Sequence, residues 1–288
     1  MATTRIKFRL QGHEKFSLRE GWINKGLLVV PNNPDVFLRN DASDVFGIGT
    51  NMVKSLRYWM KALGLMTEKS GSGASLTKIG ELIAKYDPYI EHSFTLWLMH
   101  SNIVKNVEEA TTWNMYFNRC DANNIDKDQI SSILFREITK YVNGTAFSRK
   151  SLDNDIDVLI NMYGKNKEAG DPEDKYSSPF ATLGLLTNVN GVISKKSPDR
   201  RFISEQLVLF ELANSIDNAE SISIEDFILG ENGLRNTYHL PTVVCNEFLD
   251  KLDAAGYIRV DRTAGLDMIY PMMELVPEEI IEKYYSKC

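Results

Sequence analysis

Hydrophobic positions change period several times along the chain, and each change marks an element. Arg5 to Leu10 alternates strictly, with Ile6, Phe8 and Leu10 pointing one way and Arg5, Lys7 and Arg9 the other. That spacing predicts a short half-buried strand. Glu20 to Val30 predicts a helix, stopped by Pro31 and the turn-rich Asn32-Asn33-Pro34. Asp41 is placed to cap a short helix, Ala42 to Phe46, which Gly47-Ile48-Gly49 breaks. Thr50 is placed to cap the next helix, running to about Leu63 and ended by Gly64. Leu65 to Lys69 and Ala74 to Leu76 predict two short strands around Ser70-Gly71-Ser72-Gly73, and Thr77 to Asp87 a closing helix. This order is the plan of a winged helix-turn-helix, a three-helix unit with a hairpin wing.

The following stretch is helical in pattern. Pro88 suits a first helical position, and the pattern runs through Trp97 to about Val104. Asp126 to Val142 and a segment beginning at Ser148 predict two more helices, while polar Lys165 to Ser178 predicts a loop. The last third repeats the first plan. Ser204 to Ile216, Ile224 to Leu229 and Pro241 to Ala255 predict helices, and Tyr257 to Arg262 with Met268 to Pro271 a hairpin. The expected fold is mainly α: a winged helix-turn-helix at residues 1–87, a helical middle at 88–200, and a second winged helix within 201–288.

Charge sharpens this plan. The 288 residues carry a net charge of −6. Residues 1–61 hold ten basic and five acidic side chains, so that segment is +5 and the remainder −11. A helical wheel of Thr50–Leu63 puts Met52, Val53, Leu56, Trp59, Met60 and Leu63 on one side. Asn51, Lys54, Ser55, Tyr58 and Lys61 fall on the other, with Arg57 on the flank and no acid anywhere in the span. Lys and Arg neutralise phosphates, Asn pairs with adenine, and Ser or Tyr reaches phosphate oxygens, so this face suits a DNA groove. Lys69 beside the small wing tip and Arg5, Lys7 and Arg9 of the expected strand add backbone contacts. The same amphipathic pattern also serves a protein-binding helix. On Pro241–Ala255 the outward side chains Asn246, Glu247, Asp250, Lys251 and Asp253 are mostly acidic and suit packing or a partner rather than phosphate.

Catalytic and cofactor motifs are not found. His13-Glu14 opens like a zinc metalloprotease helix, but the position four after His13 is Ser17. With no acid, nucleophile or metal partner nearby, His13 reads as a buried polar anchor ahead of a general base, and Glu14 and Arg19 as a pair across a turn. An enzyme built on His13, Glu14 and Arg19 would need a solvent-open pocket around them. Gly47-Ile48-Gly49 lacks the Lys-Ser/Thr ending of a phosphate loop. His92 and His100 stand two helical turns apart, too far to share a metal. Trp97, Trp113, Tyr116 and Phe117 read as core packing. Cys120, Cys245 and Cys288 form no CxxC. Phe94 to Met99 is too short an apolar run to span a bilayer, and no signal-like segment opens the sequence. The expectation is a cytoplasmic binding protein without cofactor, metal or catalytic residues.

Several of these residues together resemble a bacterial family, domain-of-unknown-function family 4007. The likeness is carried by Gly12-His13-Glu14, Phe16, Arg19 and Trp22, then Asp35-Val36-Phe37, Gly47-Ile48-Gly49, Asn51-Met52-Val53, Arg57-Tyr58-Trp59 and Ala62-Leu63-Gly64-Leu65. It continues at Ser178-Pro179-Phe180 and Leu183-Gly184-Leu185. Where such proteins usually carry a basic residue after the glycine pair, this chain has Thr50, so one implied phosphate contact lacks its cation. The resemblance implies a place beside phosphoadenosine-phosphosulfate reductase-like enzymes in DNA phosphorothioation or other phage-defence gene clusters. It thereby implies a DNA-directed role, with an adaptor for a sulfotransfer enzyme or a regulator of the same cluster as alternatives. It supplies no catalytic residues.

Overall fold

The computed structural model describes residues 6–164, 178–216, 219–263 and 265–287. The fold is mainly α, with small antiparallel sheets, and divides into two compact units, Met1–Lys196 and Ser197–Cys288.

Among the described residues the first unit opens without a strand. Residues 6–9 form no regular element and have no ladder partner, which corrects the alternation-based expectation; Arg5 lies outside the described residues. A strand needs a neighbour for its backbone groups. Here the backbone N–H of Arg9 donates to Thr111 Oγ1 at 2.9 Å instead, and Phe8 meets Phe147 edge to face. Helix α1 (Trp22–Val29) starts after Gly21, whose φ of 74° is easy only for glycine. Helix α2 (Ala42–Phe46) ends at left-handed Gly47, and Lys25 Nζ donates to the Phe46 carbonyl at 2.6 Å. Gly49, not Thr50, is the N-cap of α3 (Thr50–Ala62). The Thr50 hydroxyl instead lies 3.1 Å from that of Ser43. Strands β1 (Met66–Lys69) and β2 (Gly73–Leu76) pair Met66 with Leu76 and Lys69 with Gly73. Thr77 caps α4 (Lys78–Tyr86) by accepting from the Gly80 N–H.

Pro88 does not begin the next helix. The buried Asp87 carboxylate accepts from the N–H groups of Glu91 and His92 and from the Thr95 hydroxyl, and this folds 88–92 into a turn with Ile90 at φ 59°. Helix α5 (Ser93–Lys105) follows, then α6 (Thr111–Arg119). Asp126 and Gln129 form a capping box on α7 (Lys127–Tyr141), and Ser148 caps α8 (Arg149–Tyr163). His100, Phe117, Tyr163 and Phe180 meet in one aromatic cluster, with Trp97 against His100. The expected loop at Lys165–Ser178 lies outside the described residues except for Ser178, which caps a 3₁₀ turn at Pro179–Leu183. Strands β3 (Leu186–Val189) and β4 (Val192–Lys195) form a second hairpin. Lys195 Nζ donates to the carbonyls of Tyr116 and Cys120 at the end of α6, and burial pulls its ammonium below the usual lysine range.

The second unit places α9 (Glu205–Ile216) against α12 (Thr242–Ala254) and α13 (Pro277–Tyr285). Short α10 (Ile224–Leu229) and α11 (Leu234–Tyr238) connect to the sheet. The sheet order is β5 (Ile222–Ser223), β7 (Leu266–Pro271), β6 (Ile258–Thr263). Among the described residues no helix is long and apolar enough to cross a membrane.

Candidate nucleic-acid interface

Helix α3 buries Val53, Leu56, Trp59, Met60 and Ala62, as its apolar spacing requires. Asn51 and Lys54 are exposed, and Lys54 Nζ reaches Asn51 Oδ1 at 3.4 Å. Ser55 and Tyr58, expected on the same wet face, are buried at 0% and 3% exposure. The wheel assigned two sides, but this helix is covered on a third by residues 9–13. The Arg9 guanidinium lies 5.3 Å from the Tyr58 ring centre, and His13 meets the same ring edge to face. Gly12 permits this approach, since a Cβ there would stand 2.4 Å from Tyr58 Cδ2. Burial, followed by the nearby Asp155 carboxylate, pushes the Tyr58 hydroxyl well above the usual tyrosine range.

Most of the basic side chains expected to meet phosphate already meet carboxylates. Lys7 Nζ is 3.2 Å from Glu108, and Arg9 Nη1 is 2.7 Å from Glu109. Lys61 Nζ lies 2.9 Å from the second oxygen of Glu109. Arg57 Nε donates to Glu68 at the base of the hairpin at 2.7 Å. Glu108 and Glu109 sit in the turn between α5 and α6, anchored where Asn106 Nδ2 donates to the last carbonyls of α3. Lys69 is exposed beside the tip, Ser70–Gly73. Of the expected contact cations among the described residues, Lys54 and Lys69 are the ones not held by a carboxylate in these pairs, at the N-terminal half of α3 and the hairpin tip.

Burial alone would raise the Glu109 carboxyl, but hydrogen bonds from Lys61 and Arg9 hold it below its ordinary 4.5. The unfolded chain therefore takes up this proton at higher pH than the folded chain, so the contribution of Glu109 is present at neutral pH and is lost as pH falls. Between about pH 5 and pH 3, wild type should lose stability faster than Glu109→Gln in urea unfolding. Parallel pH dependences would remove Glu109 from the acid response.

His13, one of the residues that carry the family likeness, is the centre of a buried hub. His13 is 0% exposed. Its Nδ1 accepts from the Lys15 N–H at 3.1 Å, which leaves the proton on Nε2, donated to Asp155 Oδ1 at 2.8 Å. The same carboxylate accepts from the Gln11 N–H at 2.7 Å and the Thr112 hydroxyl at 2.6 Å. Trp59 stacks on the imidazole, and Trp113 meets it edge to face. Trp59 Nε1 in turn donates to the Phe16 carbonyl. Glu14 points to solvent, with φ at 50°, while the Arg19 guanidinium lies 5.8 Å from the ring centres of both Phe16 and buried Trp22. His13, Glu14 and Arg19 therefore do not line one open pocket. Burial raises the Cys120 thiol and pushes Cys245 up to about 12, which leaves both poor nucleophiles. Among the described residues no three His, Cys, Asp or Glu side chains converge as a metal site would require.

Asp155, Thr112, Glu108 and Glu109 escaped the sequence reading. Asp155 lies among polar positions of a helix whose apolar stripe was legible, and nothing local marks which of its acids turns inward.

The family described as protein of unknown function (DUF4007) matches residues 10–285, and the chain belongs to it. No curated protein matches in sequence. Two crystal structures of SspB, one of them magnesium ion-bound, share the fold. Each is 21% identical, with a TM-score of 0.85 over 96% of this chain and 88% of the other.

Proposed function

We propose that this protein is a DNA-binding component of a DNA-modification or phage-defence system, acting by binding rather than by catalysis. The reading takes the order α2, turn, α3, hairpin as a winged helix-turn-helix, and β5–β7 with α9, α10 and α12 as a second such module. One observation carries it: the first two turns of α3 present Thr50, Asn51 and Lys54 to solvent without an acid, and Lys69 of the hairpin is exposed as well. Asn51 and Lys54 would meet base edges or phosphate in the groove, and Lys69 with the Ser70–Gly73 backbone would meet the flanking phosphates. Lys61, Arg9 and Lys7 lie outside this reduced contact, held by Glu108 and Glu109. The likeness to SspB supports placement in a phosphorothioation-type system, where a phosphoadenosine-phosphosulfate reductase-like enzyme is the proposed protein partner.

The test is duplex binding by the full chain across a salt series. Lys54→Gln with Lys69→Gln should reduce the salt slope by about 1.8, which is about 0.9 for each lost phosphate contact. An unchanged slope would reject these residues as the contact. A second reading, a protein adaptor, is favoured by the neutralisation of Lys7, Arg9 and Lys61. It predicts no retention of DNA even at low salt.

A further inference from the structure

The hairpin and the segment before α2 enclose a groove of about 570 Å³. One wall is the tip, Ser70–Gly73, held in place where the Ala74 N–H donates to the Pro34 carbonyl at 2.7 Å. Gly73 is required at that contact, because it has φ 74° and a Cβ would stand 2.5 Å from Pro34 O. The opposite wall is Phe37 and Leu38. Phe37 stacks on Phe46 at 5.2 Å and 23°, so one ring face is covered and the groove meets the other face or the edge. Leu38 is 70% exposed, an apolar side chain left in water at the rim. Lys69 supplies exposed positive charge, whereas the Arg57 guanidinium is paired with Glu68. Of the two carboxylates on the lining, Glu68 is engaged by Arg57, while Arg39, the cation near Asp35, is itself held by Asp41.

An apolar wall of Phe37 and Leu38, next to an exposed lysine and a small Ser/Gly backbone, matches one unstacked nucleotide: base against the wall, phosphate at Lys69. A base pair inside a duplex keeps both base faces covered and offers nothing to such a wall. The geometry points to a site for a single unpaired or extruded DNA nucleotide in the groove between Phe37–Leu38 and the hairpin tip. This deepens the DNA-binding reading and rests on it, since the same hairpin would track the flanking backbone. The cost of leaving the stack is least where the base is already unpaired, so the groove selects such positions.

Three fluorescein-labelled oligonucleotides test it with the full chain: a perfect duplex, the same duplex with one unpaired thymine, and a single strand. Wild type should bind the bulged duplex about tenfold more tightly than the perfect one, at the lower end of what one stacked base contributes. Leu38→Ser, at an exposed position where folding is little affected, and Phe37→Ala, checked by circular dichroism, should abolish the preference and leave perfect-duplex binding unchanged. Lys54→Gln should weaken both duplexes alike. Equal binding of the two duplexes by wild type would overturn the groove site and leave the duplex reading standing. Binding of the single strand but of no perfect duplex, sensitive to Leu38→Ser, would support the groove and overturn the duplex reading. No binding of any of the three at low salt would overturn both.

Discussion

Asp155→Ala is expected to destabilise the first unit by about 3–5 kcal/mol, because it leaves three buried donors without their acceptor. The carboxylate is 2% exposed and accepts from three groups: Gln11 N–H, His13 Nε2–H and the Thr112 hydroxyl. These come from the N-terminal segment and from α6, while Asp155 itself is on α8. Its loss orphans three donors, each worth about 1–3 kcal/mol if left unsatisfied, though relaxation and water entry keep the sum below that total. For a unit of this size the melting temperature should fall by about 6–20 °C. Asp155→Asn keeps the shape and one acceptor oxygen, and the Thr112 hydroxyl can turn to accept from the new amide, so its cost should be well under that of Ala. All four tryptophans, Trp22, Trp59, Trp97 and Trp113, belong to residues 1–196. Their fluorescence during urea unfolding therefore reports this unit alone. A loss below about 1 kcal/mol for Asp155→Ala would mean that the three donors find other partners and that the hub is not what fixes the N-terminal segment.

The legible and illegible parts of the molecule divide along a physical line. Helices with an apolar stripe and a local cap were readable: Asp126 before α7, Ser148 before α8 and Ser223 before α10 satisfy the first-turn N–H groups of their own helices. The hairpin β1–β2 was readable because its turn glycines are local too. Asn190-Gly191 carries the same kind of signal, with both residues left-handed at φ 51° and 81° between β3 and β4. That dipeptide, flanked by Thr187, Val189, Val192 and Ser194, is a hairpin signature that could have been read. Pro88 misled because the competing signal, Asp87 accepting from backbone two turns before α5, looks in sequence like any acid. The site was legible only as a list of residue types. Whether Tyr58 faces water, and whether Lys61 meets a phosphate or Glu109, are decided by residues about 45 to 100 positions away in the chain. A helical wheel contains no such information.

Glu108→Gln with Glu109→Gln should therefore change nucleic-acid binding more than any single cation of α3. In the native protein these two carboxylates hold Lys7, Arg9 and Lys61 at 3.2, 2.7 and 2.9 Å. The exposed Lys7–Glu108 pair contributes little to stability, and a phosphate could replace it at small cost, while the half-buried pairs of Glu109 are held more firmly. The obstacle is the negative charge of the glutamates themselves, which repels the backbone that would replace them. Neutral amides remove the repulsion and still hydrogen-bond weakly to the same cations. If DNA lies along α3 toward its C-terminal end, three more cations become available, and the salt slope should steepen by about 2.7. Raising salt fourfold would then weaken the variant by about 40-fold more than wild type, with the largest gain in affinity at low salt. A steeper slope would mean that Glu108 and Glu109 confine contact to Asn51, Lys54 and the hairpin in the native protein. A slope equal to wild type, with binding intact, would mean that DNA leaves α3 before Lys61 and that the basic N-terminal segment serves only to dock against the helical middle. No binding in either protein would favour the adaptor, because removing both carboxylates that hold Lys7, Arg9 and Lys61 would have failed to recruit a polyanion.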